Sequence, residues 1–184
     1  MDPKINKKNL ETIYEKYNKR ALVNPDPLVF LYNYSDIKDR EITALISASL
    51  AYGRVKQILK SVEIVLNTLG KNPHKHLTTI SENSIKKSLK DFKHRFTTDK
   101  EITGLLLGIK RIILEHGSLQ DLFYKNTNKN DENILNALSG FVSEIKNAGE
   151  LKKNSLLSDP QMGSACKRLN LFLRWILNFS DLNN

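Results

Sequence analysis

The residues best suited to chemistry lie near the end of the sequence, in the stretch GSACKRLN at 163–170. A lysine amine becomes a nucleophile when burial or a neighbouring cation removes its proton, and Arg168 is such a neighbour for Lys167. The alternative is that Lys167 is solvated, as most lysines near helix starts are. Cys166 has no histidine assigned as its partner, which favours a small buried residue over a reactive thiol.

The four histidines form no recognisable metal or catalytic motif. His74 and His76 are two residues apart, so a helix would place them on different faces. His94 follows Phe92-Lys93 and is interpreted as a surface or boundary residue rather than a general base. The sequence has no glycine-rich phosphate loop, no HExxH, no Gly-x-Ser-x-Gly and no zinc-finger spacing. We therefore predict no metal and no cofactor.

The composition is that of a folded, basic protein. The chain has 184 residues, of which 40% are hydrophobic and 27% charged, so we predict a single domain over 1–184. The longest apolar run, at 105–109, is interrupted by Gly108 and is far shorter than the about 20 residues of a membrane span. The charged N-terminus does not resemble a signal peptide. We predict a cytoplasmic protein without a membrane partner, and no particular oligomeric state.

The net charge of +9 raises the question of a polyanionic partner such as nucleic acid. A compositional bias towards lysine and asparagine is the alternative explanation. The region 71–100 is the most basic third of the chain, and it is either a solvated connecting helix that packs lightly or a ridge that faces a polyanion. Its cations are Lys71, Lys75, Lys86, Lys87, Lys90, Lys93, Arg95 and Lys100.

Helical periodicity dominates the chain, and no stretch shows sustained period-two alternation. We predict an all-α compact bundle of roughly eight helices without a sheet. The helix that Ser35 or Asp36 caps is apolar around most of its circumference and should be central. The main predicted helices lie at 6–22, 36–52, 54–69, 99–116, 133–148 and 159–178, with short ones after Pro27 and Gly117.

Three details of these helices lead to structural predictions. Asp39 and Glu41 should favour the positive end of their own helix. Gly104 and Gly108, four residues apart, would permit a close helix crossing. In the last helix, Phe172 and Trp175 should be buried, and a helically spaced apolar stripe consists of Leu169, Phe172, Leu173 and Ile176.

Five blocks of the sequence resemble one bacterial family that is catalogued as a domain of unknown function. The resemblance covers about residues 10–178. The blocks are DPLVF at 26–30, DREITALISASLAYGRVKQI at 39–58, FKHRFT at 92–97, GLLLGIKRI at 104–112 and GSACKRLNLFLRW at 163–175. That family more distantly resembles the helix-hairpin-helix DNA glycosylase (HhH-GPD) superfamily.

The glycosylase resemblance implies two helical subdomains around a groove and a hairpin that grips the DNA backbone through main-chain N–H groups. The hairpin would correspond to 160–163, and Lys167 would be the nucleophile that attacks the sugar C1′. Double-stranded DNA would be the partner, bound by Gly163, Ser164, Arg168 and Arg54. The helix from Ser47 is similar to a groove-facing glycosylase helix, with Ser49 where many members have glutamine.

The sequence departs from the glycosylase pattern in three respects. It has one glycine in the hairpin instead of a Gly-x-Gly pair, and it lacks the four cysteines of an iron–sulfur cluster. An Asp-Thr-His segment should follow the last helix, and Asp181 lacks that context, so we expect a shortened family member. We therefore predict a DNA-binding relative of base-excision glycosylases with weak or no activity. The alternative is a non-catalytic helical binding or scaffold module.

Overall fold

The computed structural model describes residues 6–151, 154–177 and 179, and helices account for most of them. Three 3₁₀ turns lie at Arg20–Leu22, Pro27–Asn33 and Pro160–Met162. The α-helices of the described residues are α1 (Lys7–Tyr17), α2 (Ile37–Ser49), α3 (Val55–Leu69), α4 (Pro73–Thr79), α5 (Glu82–Ser88), α6 (Asp99–His116), α7 (Leu119–Lys125), α8 (Leu135–Ala148) and α9 (Lys167–Leu177). None of these helices combines the length and hydropathy needed to cross a membrane.

The all-helical prediction holds in outline, but the expectation of no sheet is wrong. Strands β1 (Lys93–His94) and β2 (Thr97–Thr98) form an antiparallel hairpin with a two-residue tip. Arg95, the first tip residue, has a φ of 51°. Two-residue strands are too short for an alternation pattern, and the tip lacks the Asn-Gly or Gly-containing pairs that mark such turns.

Helix α2 is the central element, as its apolar sequence predicts. Every residue from Glu41 to Leu50 is buried. Asp36 caps the helix by accepting the N–H of Lys38 at 2.7 Å. Around α2 pack α9, the 3₁₀ turn Pro27–Asn33, α3, α4 and α7. One continuous hydrophobic cluster therefore joins elements from both halves of the sequence.

The two carboxylates at the start of α2 cap other helices rather than supporting α2 alone. Asp39 Oδ1 accepts the N–H of His74 in the first turn of α4, at 2.7 Å. Glu41 is 3% exposed, and its two carboxylate oxygens accept the N–H groups of Leu119 and Gln120 in α7 at 2.7 and 2.9 Å. These bonds satisfy N–H groups that have no partner within their own helices. Polar contacts thus fix α4 and α7 to the centre of the fold.

A close crossing of α6 and the end of α8 confirms the packing role predicted for Gly104 and Gly108. A Cβ at Gly108 would lie 2.5 Å from the Ile145 carbonyl oxygen. A Cβ at Gly104 would lie 3.0 Å from the Gly149 carbonyl oxygen, and one at Gly149 would overlap the Gly104 carbonyl. The two backbones can approach this closely only because these three positions carry no side chain.

Gly108→Ala should lower the free energy of unfolding by about 1–3 kcal/mol, because the new methyl group forces α6 and α8 apart. Without that clash, alanine in a helix interior would stabilise by up to about 1 kcal/mol. The sign of the change in the free energy of unfolding, measured by urea titration, therefore shows whether the methyl group clashes with α8. Asn147→Ala, at an exposed position on α8, is the control and should change stability by less than about 0.5 kcal/mol. A Gly108→Ala variant more stable than the wild type would contradict the close crossing.

The last helix is shorter than predicted. Residues 160–162 form a 3₁₀ turn, Gly163 is left-handed with a φ of 74°, and α9 begins only at Lys167. The left-handed residue stops the chain from continuing as a helix, which is why the helical pattern does not extend back to residue 159. Phe172 and Trp175 are buried, as predicted. The predicted end at Asn178 lies outside the described residues.

Candidate functional site

The turn before α9 is exposed and firmly attached to the core. Asp159 Oδ1 accepts the Gln161 N–H at 3.0 Å and the hydroxyl of Ser139, on α8, at 2.7 Å. Gly163 and Ser164 follow, and both are exposed. The structure therefore presents the predicted hairpin residues to solvent on a turn that is hydrogen-bonded to α8.

Cys166 anchors the start of α9. Its thiol donates to the Ser158 carbonyl at 3.3 Å, and its N–H donates to the Ser164 hydroxyl at 3.2 Å. The side chain is buried, and its φ of 46° lies in the left-handed region. This agrees with the interpretation of Cys166 as a small buried residue.

Lys167 is exposed in the first turn of α9, at the edge of a cavity of about 280 Å³. Leu156, Ser158 and Ser164 also line this cavity, and its described lining residues include no acidic side chain. Among the described residues, no protein acceptor faces the N–H groups of Lys167, Arg168 or Leu169. The first turn of α9 thus offers free N–H donors and a lysine ammonium beside one cavity.

The side chain of Arg168 points into the protein, whereas that of Lys167 is exposed. Its guanidinium donates to the Ser49 carbonyl at the end of α2, at 2.7 Å, and to the Ser155 carbonyl. It also lies 4.9 Å from the centre of the Tyr52 ring, and burial lowers the pKa of Arg168. The prediction that Arg168 contacts DNA stays a prediction, and these internal bonds give it a positioning role.

Tyr52 continues this contact into the β-hairpin. Its hydroxyl donates to the His94 carbonyl at 2.9 Å and lies 2.7 Å from the Thr97 hydroxyl. The Thr97 hydroxyl in turn lies 3.3 Å from that of Ser155. These contacts join the β-hairpin, the end of α2 and the segment that leads to α9. We call the residues that make them, Tyr52, His94, Thr97, Ser155 and Arg168, the Tyr52 network.

His94 is fully buried in the Tyr52 network, so its interpretation as a surface or boundary residue is wrong. Its Nε2 lies 3.0 Å from the Tyr52 carbonyl, which can only accept, so Nε2 carries the proton. Its Nδ1 then accepts from the Ser61 hydroxyl at 2.9 Å. Both ring nitrogens are satisfied, which allows the ring to be buried, and that burial lowers the pKa of His94. Phe92 is also buried while Lys93 and Arg95 are exposed, so His94 shares the inner side of this segment with Phe92.

The tip of the hairpin carries an exposed aromatic ring that sequence reasoning missed. Phe96 is 73% exposed, and the Arg95 guanidinium lies 5.4 Å from the centre of its ring. A Cβ at Gly53 would come within 2.8 Å of Arg95, so the glycine lets this arginine lie against the backbone. Arg54 follows Gly53, is exposed and occupies the N-cap position just before α3. An aromatic residue directly after a basic one, in Arg95-Phe96, was the available signal.

The structure brings together only part of the predicted site. One continuous stretch exposes Gly163, Ser164 and Lys167. The Tyr52 network joins that stretch to the β-hairpin. Asp181 lies outside the described residues. Within the described ranges, no three His, Cys, Asp or Glu side chains are grouped so that they could hold a metal ion.

The fold and the site are those of a helical protein in which the Tyr52 network joins two exposed features. These are the turn that contains Gly163 and the β-hairpin whose tip carries Arg95. The chain belongs to the family described as Protein of unknown function (DUF2400), whose sequence model matches residues 26–182. The predicted membership of a family of unknown function is thus confirmed. No curated protein and no solved structure matches the chain. Helix α1 precedes the matched residues.

Proposed function

We propose that this protein binds double-stranded DNA and is related to the helix-hairpin-helix DNA glycosylases. The observation that carries the proposal is the exposed turn at 160–164, which leads through the left-handed Gly163 into the open first turn of α9. Lys167 stands in that turn. Free N–H groups at a helix start favour bound anions, and phosphate oxygens are the anions that DNA presents.

The hairpin tip supports the same proposal from a second element. Apolar side chains that enter DNA do so as wedges between base steps, and exposed aromatic rings stack on bases. Phe96 has the exposure that this requires, with Arg95 and Arg54 beside it as phosphate contacts. Because the Tyr52 network joins the hairpin to the turn before α9, the two DNA contacts would be held in a fixed relation.

Lys167 is the proposed nucleophile towards an abasic site. Its neutral amine would attack C1′ of the ring-opened sugar, form a C–N bond and release water, which leaves a Schiff base. Such chemistry needs the damaged nucleotide outside the base stack, and the cavity beside Lys167 offers a place near the amine. Arg168 would position Lys167 through its bonds to Ser49 and Ser155 rather than contact the sugar.

A non-catalytic DNA-binding module is the second candidate. Among the described residues that line the cavity beside Lys167 there is no carboxylate, and a carboxylate is the group that would stabilise an oxocarbenium-like sugar. The turn and the hairpin would then bind DNA without chemistry. The two candidates share the DNA surface and differ only in the reactivity of Lys167.

Borohydride trapping on a duplex with one abasic site tests both candidates. Wild type should give a covalent adduct, whereas Lys167→Ala and Lys167→Arg should give none, because neither side chain can form a Schiff base. Lys167→Arg keeps the positive charge, so its affinity for the duplex should stay within about threefold of wild type. An undamaged duplex is the control for the trapping reaction.

The outcomes separate the possibilities. Equal adducts from wild type and both variants would refute Lys167 as the nucleophile. Binding of the duplex without any adduct would favour the non-catalytic module. A wild-type protein that does not bind the duplex at low salt would refute DNA binding altogether.

A further inference from the structure

The stretch from residue 86 to residue 100 carries six exposed cations that form no salt bridge with any described residue. We call them the basic ridge. Its members are Lys86, Lys87, Lys90, Lys93, Arg95 and Lys100. The hairpin tip is part of this ridge, but the function proposed above uses only Arg95.

Several cations elsewhere on the described surface are paired. Arg111 binds Glu82 at 2.9 Å and Glu150 at 3.2 Å, and Lys125 binds Glu144 at 2.9 Å. The charge of these cations is balanced within the protein. The ridge cations, in contrast, have no salt-bridge partner among the described residues, so the ridge keeps its full positive charge.

Two acidic groups beside the basic ridge, Asp99 and Glu101, bind backbone donors instead of its cations. Asp91 is exposed between Lys90 and Lys93 and forms no salt bridge with a described residue. Asp99 Oδ1 accepts the backbone N–H of Lys100 at 2.8 Å. Glu101 accepts the backbone N–H of Thr98 at 2.9 Å as part of a capping box. Like charges that are close together repel each other, and here no ion pair among the described residues offsets that repulsion.

The fold holds the basic ridge in a defined place. Ile85 and Leu89 are 2% and 1% exposed and dock α5 and its end on the core. Lys86 is exposed on α5, and Lys90 is exposed in the turn that follows α5. Phe92 and His94 are buried in the same way beneath Lys93 and Arg95. The chain thus presents cations outward from α5 to the hairpin tip.

The Tyr52 network joins the basic ridge to the proposed DNA surface. Thr97, in the second strand of the hairpin, contacts both Tyr52 and Ser155, and Ser155 accepts from Arg168. Arg168 is the residue after Lys167. The hairpin tip belongs to both surfaces, so a duplex seated on the tip would lie next to the ridge cation Lys93 in the same hairpin.

We propose that the basic ridge is a second DNA-backbone contact, which lengthens the bound duplex beyond the hairpin tip. This inference rests on the proposed DNA binding. The partner chemistry is a row of phosphodiesters, because the ridge offers separate flexible ammonium groups rather than one enclosed site. Such contacts add affinity and salt dependence without adding sequence preference.

The test compares two triple variants with the same loss of charge. Lys86→Gln/Lys87→Gln/Lys90→Gln removes three ridge cations, and Lys7→Gln/Lys8→Gln/Lys16→Gln removes three exposed cations from α1. Binding of a fluorescein-labelled 25-base-pair duplex is measured from 50 to 300 mM salt. The ridge variant should bind about 10–100-fold more weakly at 100 mM salt, with a salt slope shallower by about 2–3. The α1 variant should stay within about threefold of wild type.

Equal losses of duplex affinity in the two triple variants would show that only net charge matters and would overturn the ridge contact. Salt-dependent binding by the wild type would still support the proposed function in that case. Wild-type protein that does not bind at 50 mM salt would overturn both. The melting temperatures of all three proteins should agree, because the substituted side chains are exposed. Equal melting temperatures exclude misfolding as the cause of a loss of affinity.

Discussion

Phe172→Ala should lower the free energy of unfolding by roughly 3–5 kcal/mol, because it removes a buried ring and leaves a cavity between α9 and α8. Phe172 is 5% exposed, and its ring stacks on that of Phe141 with 6.0 Å between the ring centres. Phe141 is 1% exposed, so the site has no access to water. A loss of this size is a large share of the about 5–15 kcal/mol by which domains are stable.

Leu177→Ala is the matched control for this prediction. Leu177 lies on the same helix but is 74% exposed, so its truncation should change stability by less than about 0.5 kcal/mol. Urea titrations followed by circular dichroism would measure both variants. Similar small changes in the two would mean that α9 is loosely docked on the core, contrary to the burial of Phe172.

Glu41 should make the stability of the protein fall as the pH rises from about 5 to about 7. Burial raises the pKa of Glu41 from its ordinary value of 4.5 to about 7, although the N–H groups of Leu119 and Gln120 act in the opposite direction. In this window the folded protein holds a proton that the unfolded chain has released. Each pH unit then costs about 1.4 kcal/mol, or about 2–3 kcal/mol over the whole window.

Glu41→Gln removes this titration and keeps the size of the side chain. The stability difference between wild type and Glu41→Gln should therefore shift by about 2–3 kcal/mol against the wild type between pH 5 and pH 7. Glu15→Gln, on the exposed face of α1, should follow the wild-type pH profile. Parallel profiles for wild type and Glu41→Gln would show that the buried carboxyl is ionised throughout this range.

The features that were predictable from the sequence are those that depend on local spacing. Apolar residues at helical intervals identified α2 and α3, and the predicted ends of α3 at residue 69 and of α6 at residue 116 are confirmed. Gly104 and Gly108 signalled a close crossing because a glycine pair on one helix face has few other uses. Membership of the family also followed from contiguous blocks of sequence, which the match over residues 26–182 confirms.

The features that were missed depend on partners that are distant in the sequence. Arg168 and Ser49 are 119 positions apart, and Glu41 and Leu119 are 78 apart. Side-chain spacing within one segment contains no information on such pairs. His94 was misjudged for the same reason, because its partners Ser61 and Tyr52 belong to other segments. For Lys167 the prediction located an exposed residue beside a cavity, and its chemistry stays a prediction.

The two carboxylates at the start of α2 also bear on the order in which the chain becomes structured. Helices α4 and α7 have seven residues each, which is about half the length at which isolated helices become marginally stable in water. The Ser118 hydroxyl already caps α7 locally through the Asp121 N–H, but the N–H groups of Leu119 and Gln120 obtain their acceptor only from Glu41. In α4 the N–H of His74 obtains its acceptor only from Asp39. Docking of α2 therefore stabilises both short helices, which couples their formation to long-range assembly.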